Sequence, residues 1–280
     1  MALLRVLRRG AVEVIDYRCT SGPGDRAFVE VHARHSLSFV RRGSFGCRSR
    51  GRTLDLIPGA LLVGYPGDEY CCSHEHHRGG DECLSFQYTP ELIEEIAPRA
   101  DWRVGTVPPL AGFMVLGERA QAAAGTHDSM ALDELGLQLA AGFAGRLSPG
   151  ARRSGAPRRQ DRCRAIESAL WIDAHAAEDL GLADAARIAR LSNYHFLRVF
   201  SAVLGVTPHQ YLVRSRLRTA ARLLLEGSAS VTDVAFDAGF NDVSNFVRTF
   251  RRAAGMSPGA FRHAGNRRSK ILQDRFPAHS

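Results

Sequence analysis

SNYHFLRVFSAVLGVTPHQY at 192–211 and DVSNFVRTFRRAAGMSPGAF at 242–261 are two copies of one unit, offset by fifty positions without a gap. Phe196 matches Phe246, Arg198 matches Arg248 and Phe200 matches Phe250; Gly205, Pro208 and Tyr211 match Gly255, Pro258 and Phe261, and upstream Ala185 matches Ala235. Solenoids and propellers need at least three units to close a continuous core, so two copies point to a paired device.

Each copy carries the punctuation of a short helix, a tight turn and a second helix. Leu182, Ala185, Ala186, Ile188 and Ala189 recur at helical spacing, and Ser192 is an N-cap for a helix running to about Leu204. Gly205 and Gly255 supply the left-handed residue that ends such a helix. Thr207-Pro208 and Ser257-Pro258 then place a capping hydroxyl before a proline at the first helical position, so a third helix begins in each copy.

Phe196, Val199, Phe200 and Val203 share one face of the first inner helix and leave Tyr194, His195, Leu197, Arg198 and Ser201 on the other. In the second copy Phe246, Val247 and Phe250 anchor, with Val243, Ser244, Asn245 and Arg248 outward. A helix anchored on one side and presenting short polar groups plus Arg suits the DNA major groove, where Arg can be bidentate to guanine and Asn to adenine. Two ordinary amphipathic helices in a bundle would share the spacing but not the repeated caps and repeated Arg. The charge is divided in the same way. Residues 1–151 hold 16 Lys and Arg against 18 Asp and Glu, a net of −2, whereas 152–280 hold 21 against 11, a net of +10. A polyanion is the expected partner of the basic half, because neutralising phosphates releases condensed counterions.

The region from Leu182 to Arg262 resembles the DNA-binding domain of the AraC/XylS-type bacterial transcription regulators: two helix-turn-helix units joined by a long helix. The residues that carry the resemblance include Leu182, Ala185, Ser192, Phe196, Arg198, Gly205, Thr207-Pro208, Tyr211 and Arg216. They continue through Ala220, Val234-Ala235, Gly239-Phe240, Asn245-Phe246, Gly255, Ser257-Pro258 and Phe261-Arg262. It implies that a helix from about Pro208 to Leu225 spaces the two reading helices into successive major grooves of a promoter, roughly 34 Å apart. DNA-contacting positions then fall on Asn193, Tyr194, Leu197, Arg198 and Ser201, and on Val243, Ser244, Asn245, Val247 and Arg248. Leu197, Val243 and Val247 depart from the polar residues common there; contact with thymine methyls would accommodate them. The resemblance also implies RNA polymerase as a partner, a role as activator and a small-molecule effector.

The N-terminal half is of another kind. Phe28–Val31, Leu37–Val40, Phe45–Cys47, Leu54–Ile57, Leu61–Val63 and Leu84–Tyr88 are short apolar or alternating runs separated by turn residues, which predicts a small barrel or jelly roll. Thr89-Pro90 starts a helix to about Ala97, and 130–147 reads as a longer helix with Leu132, Leu135, Leu139 and Phe143 on one stripe. That order resembles the cupin-like sensor domain attached to many members of the same family, whose regulators often dimerise through such a helix; the stripe can pack on its twin or only on its own barrel, and the resemblance favours the pairing of two protomers. The expected fold class is multidomain α+β: a cupin-like sensor over 1–147, a solvated linker over 148–162, a double helix-turn-helix domain over 163–264 and a basic tail over 265–280.

Cys71, Cys72, Ser73, His74, Glu75, His76, His77, Asp81 and Cys83 form the most chemical-looking segment. His74 and His76 fall on one side of an extended strand, and Asp81 takes a position near the carboxylate of a cupin metal site, with Cys83 or Cys71 as a fourth ligand to a divalent ion. The opposing reading is a polar loop at the mouth of a barrel. No cofactor loop or nucleophile–base set accompanies these residues, so a cupin-type oxygenase or isomerase with an appended DNA-binding module is the lesser alternative, and a metal- or thiol-responsive regulator an intermediate one. Cys19, Cys47 and Cys163 are far apart and read as small buried hydrophobes. Six unpaired cysteines and the lack of a secretory signal or membrane-spanning run predict a reducing bacterial cytoplasm.

Overall fold

A computed structural model describes residues 2–74, 80–145 and 157–264. The N-terminal part contains β1 (Ala2–Arg8), β2 (Val12–Cys19), β3 (Phe28–Val31), β4 (His35–Gly43), β5 (Phe45–Ser49), β6 (Arg52–Leu56), β7 (Leu61–Gly64), β8 (Glu69–Ser73) and β9 (Asp81–Tyr88). Helix α1 (Pro90–Ile96), the short strand β10 (Thr106–Val107) and helices α2 (Ala111–Gly125) and α3 (Ser129–Ala144) follow. Two antiparallel sheets result, ordered β1-β2-β9-β4-β7-β10 and β3-β8-β5-β6.

The larger sheet is covered on both faces, and the period of two along each strand decides which residue goes where. Val12, Val14, Leu37, Phe39, Leu61, Val63, Leu84, Phe86 and Tyr88 share one buried cluster with α1, α2 and α3. Val40, Leu62 and Cys83 point the other way, into a smaller cluster with Phe45, Cys47, Leu54 and Leu56. Helix α2 lies so close to the sheet that a Cβ on Gly117 would sit 2.3 Å from the Phe39 ring, which is why the position carries no side chain.

Leu132, Leu135, Leu139 and Phe143 of α3 belong to this core and are at most 1% exposed. The pairing of protomers expected through that stripe is therefore corrected: the stripe packs on its own domain, and burying it within one chain already removes it from water. Met130 and Leu137 are the large apolar residues that α3 leaves exposed.

The C-terminal part is helical: α4 (Arg159–Ala174), α5 (Leu182–Ala189), α6 (Asn193–Leu204), α7 (Pro208–Glu226), α8 (Val231–Asp237) and α9 (Val243–Ala254), with 258–264 helical again. Helix α4 starts inside the stretch read as linker, since Ala165, Ile166, Ala169 and Ile172 give it a narrow buried stripe after an Arg-rich first turn. The rest of that stretch up to residue 156, and the tail from 265, lie outside the described residues.

The duplication in sequence is a duplication of cores. Phe196, Phe200 and Tyr211 pack edge-on or tilted at centroid distances of 5.4 and 6.0 Å; Phe246, Phe250 and Phe261 repeat the run of three rings at 5.6 and 5.2 Å. Helix α7 enters both clusters, giving Tyr211 and Leu212 to the first and Leu217, Ala220, Ala221 and Leu224 to the second. Its start follows the expected code: Thr207 accepts from Gln210 N at 3.2 Å, Gln210 reaches back to Thr207 N at 3.1 Å, and Pro208 stands at the first position.

The two halves are docked on one another. Ile57 of the sheet domain lies in the first helical core and Val115 of α2 in the second. The Tyr211 hydroxyl donates to the Pro58 carbonyl at 3.4 Å, Arg162 bonds Asp55 at 2.6 Å, and Arg214 bonds the Pro109 carbonyl. Arg218 of α7 donates to the Arg41 carbonyl at 3.0 Å, pairs with Asp173 of α4, and lies 3.8 Å from Glu118 of α2. Among the described residues no helix is long and apolar enough to cross a membrane.

Candidate nucleic-acid interface and internal cavity

Each helix-turn-helix unit is fixed by its turn. In the first, Arg190 ends α5 in the left-handed region at φ 53°, and the Ser192 side chain accepts from His195 N at 3.4 Å to start α6. In the second, Gly239 turns at φ 90° and the Asp242 carboxylate accepts from Ser244 N at 2.9 Å and Asn245 N at 3.1 Å to start α9. Gly205 and Gly255 terminate the two helices at φ 71° and 74°, as the sequence requires.

With Phe196, Phe200, Phe246 and Phe250 fully enclosed, α6 leaves Asn193, His195, Leu197 and Arg198 exposed, and α9 leaves Ser244, Asn245 and Arg248 exposed. Tyr194 lies in α6, but its side chain is outside the described residues. Asn245 Oδ1 accepts from Arg248 Nη2 at 3.3 Å and from Thr249 Oγ1 at 3.4 Å, so the amide and the guanidinium stand side by side on the outer face.

Three expected contact positions sit differently. Ser201 is half-buried, and its Oγ is enclosed without a hydrogen-bond partner among the described residues. Val243 and Val247 are half-buried and pack against the second helical core. Their apolar character is thereby accounted for within the chain. Sequence reasoning passed over the exposed Arg187 and Arg190 beside α6 and the exposed Arg251 and Arg252 at the end of α9; the doublet RR at 251–252 was the available signal, since basic groups flanking a reading helix favour phosphate.

A cavity of about 440 Å³ lies between the two sheets. His32 stacks on Tyr70 at 4.1 Å, Tyr70 donates its hydroxyl to Glu30, and Ser38 bonds Ser85 at 2.9 Å. Burial lowers His32 to about 4, with the Asp68 carboxylate only partly offsetting it. Burial, then the Glu30 hydrogen bond and charge, push Tyr70 up, so both rings are neutral near neutrality. Such a lining offers donors and acceptors to a small polar organic molecule.

The His/Cys segment is only partly brought together. His74 is 5% exposed and bonds Asp81 at 2.7 Å, and Cys83 Sγ lies 3.6 Å from Asp81 Oδ1. His76 lies outside the described residues. Alternation along β8 sends Cys71 to the opposite face from Tyr70 and Cys72, away from the cavity that His74 lines, so the Cys71 alternative is corrected. All six cysteines are free thiols.

A family profile described as a helix-turn-helix domain matches residues 185–264, which takes in α6 through α9. With two such units on one spacing helix, that match decides the assignment. The C-terminal domain is of the AraC/XylS type. Over 88 residues, 31% of this chain, the chain is 36% identical to the probable transcriptional regulator LumQ of Photobacterium leiognathi, and covers 36% of that protein. The first several relatives are likewise covered over about a third of their length. An uncharacterised helix-turn-helix-type regulator of Bacillus subtilis, YbfI, is 25% identical over 223 residues, 76% of this chain and 79% of its own. Among solved structures, the DNA-binding domain of the transcriptional factor AdpA in complex with a target DNA is 31% identical, spans 41% of this chain and 98% of that one, and has a TM-score of 0.35. The AraC-type domain is a DNA-binding domain.

Proposed function

We propose that the chain is a transcription regulator that places α6 and α9 in successive major grooves of a promoter and answers to a small organic effector held between its two sheets. The observation that carries this reading is the pair of exposed polar faces, Asn193 with Arg198 and Ser244 with Asn245 and Arg248, each standing on its own aromatic core and tied to the other by α7. Asn and Arg there suit adenine and guanine edges, and the basic excess of the C-terminal half supplies phosphate affinity. Activation through RNA polymerase, in a bacterial cytoplasm, belongs to the same proposal, as does assigning the sheet domain to the cupin-like sensors. Support for a sensor role comes from the polar 440 Å³ cavity and from the docking of that domain on α7.

The test is selection of genomic fragments bound by the full chain, followed by footprinting. The expected result is a protected site with two half-sites about one helical turn apart on one face of the duplex. A single short footprint, or binding with no sequence preference, would overturn it.

A further inference from the structure

Three donors converge at one end of the cavity, and only two of them, His74 and Asp81, belong to the His/Cys segment of the sequence. Cys19 closes β2, Asp81 opens β9 directly opposite it in the antiparallel register, and His74 follows β8 from the other sheet. The Cys19 Sγ, a ring nitrogen of His74 and a carboxylate oxygen of Asp81 lie within 4.8 Å of one another, and all three residues line the cavity. We propose that Cys19, His74 and Asp81 bind one divalent first-row metal ion, zinc by donor chemistry, with a fourth position open to the cavity between the sheets.

The donor set argues for the metal. A thiolate beside an imidazole and a carboxylate suits zinc or its cobalt substitute and disfavours magnesium and calcium, which take oxygen ligands. Metal–ligand bonds of about 2.0–2.3 Å put tetrahedral donors roughly 3.3–3.8 Å apart, so the trio closes on an ion by small side-chain rotations, with the 2.7 Å contact between His74 and Asp81 opening as both turn to the metal. One thiolate and one carboxylate balance the two positive charges, which matters where His74 is 5% and Asp81 9% exposed.

Three protein ligands with one position left over is the arrangement that leaves a metal free to take water or another ligand. Here that position faces the cavity containing Glu30, His32, Tyr70 and Gln87. A carboxylate or hydroxyl of an organic molecule in the cavity would complete the coordination, so the ion makes the cavity selective for ligands that carry an oxygen donor. Cys83 adjoins Asp81 but stands outside the trio.

The experiment is cobalt titration of the full chain after stripping with a chelator. One equivalent should bind with a thiolate-to-cobalt charge-transfer band and the visible absorption of four-coordinate cobalt, and zinc should displace it. Cys19→Ser, at a half-buried position, should abolish the thiolate band and weaken zinc binding by more than about tenfold. Cys72→Ser, in the same cavity, and Cys83→Ser should keep both. Binding of much less than one equivalent, or a thiolate band that survives Cys19→Ser, overturns the site; so does an ion lost on His76→Ala with His77→Ala. Binding of DNA by the same variants is read separately, so failure of the metal site leaves the reading of α6 and α9 standing.

Discussion

At the residue scale the two reading helices make separable predictions. Arg198→Ala and Arg248→Ala should each cost about 1–3 kcal/mol on the selected site and relax preference at one position, the two positions lying about one helical turn apart. Competition binding with base-substituted duplexes checks this; equal weakening on every sequence would reduce both residues to phosphate contacts. His32 gives a second prediction. Its folded value of about 4 is below the usual 6.5, so the unfolded chain takes up the proton first as pH falls. Stability should be fully present above pH 6.5 and decline between 6.5 and 4, with His35, also lowered by burial, adding to the slope. Thermal melts of wild type and His32→Gln across that window are the measurement, and the variant should show the shallower decline. Legibility was uneven among single residues. Phe196 and Phe246 were readable because duplication and helical period agree on them. Val243 and Val247 were not, because a helix flank can rest on its own core or meet a partner with the same spacing. Cys19 was not readable at all, since only the β2–β9 register brings it to Asp81.

At the element scale the missed pieces share a cause. Helix α2 reads AGFMVLGERAQAAAG and carries no sharp apolar stripe, because it is buried on two sides: Gly117 against Phe39, Val115 in the second helical core. Strand β1 alternates Leu3, Leu4 and Val6 with Arg5 and Arg8 on an exposed edge, where β-pairing is set by β2 rather than by burial. Glu13, Asp16 and Arg18 break up β2 in the same way, although Val12 and Val14 are enclosed. Helices with caps written in the sequence, at Thr89, Ser192 and Thr207, were found close to their observed starts. Gly117→Ala should destabilise by about 1–3 kcal/mol, since the added carbon meets the Phe39 ring and either α2 or the ring must shift. Denaturant unfolding measures it, and Gly117→Ala with Phe39→Leu should recover part of the loss.

At the scale of the whole molecule the docking of the halves was the feature furthest from the sequence, because no local pattern joins Arg218 to Arg41, Glu118 and Asp173. Burial raises the Glu118 carboxyl, and the Arg218 charge opposes that shift. Replacing Arg218 with Ala removes the guanidinium paired with the half-buried Asp173 and facing the buried Glu118, leaves Glu118 only the Arg222 charge, and should cost roughly 3–5 kcal/mol. Combining it with Glu118→Gln and Asp173→Asn should restore much of that loss in equilibrium unfolding; no restoration would mean that the guanidinium acts through packing alone.

Helix α2 touches the sheet through Gly117 and the second DNA-reading unit through Val115, and Arg119 lies over the Phe261 ring at 5.9 Å. On the proposed function, a helix shared in this way makes DNA binding and ligand binding partners in one thermodynamic cycle. If DNA engagement shifts α2 against Phe39, the factor by which operator DNA changes affinity in the cavity equals the factor by which a cavity ligand changes affinity for the operator. The promoter would then itself be an effector of the proposed sensor, and a cell holding many copies of the operator would register a given ligand concentration differently from a cell holding one.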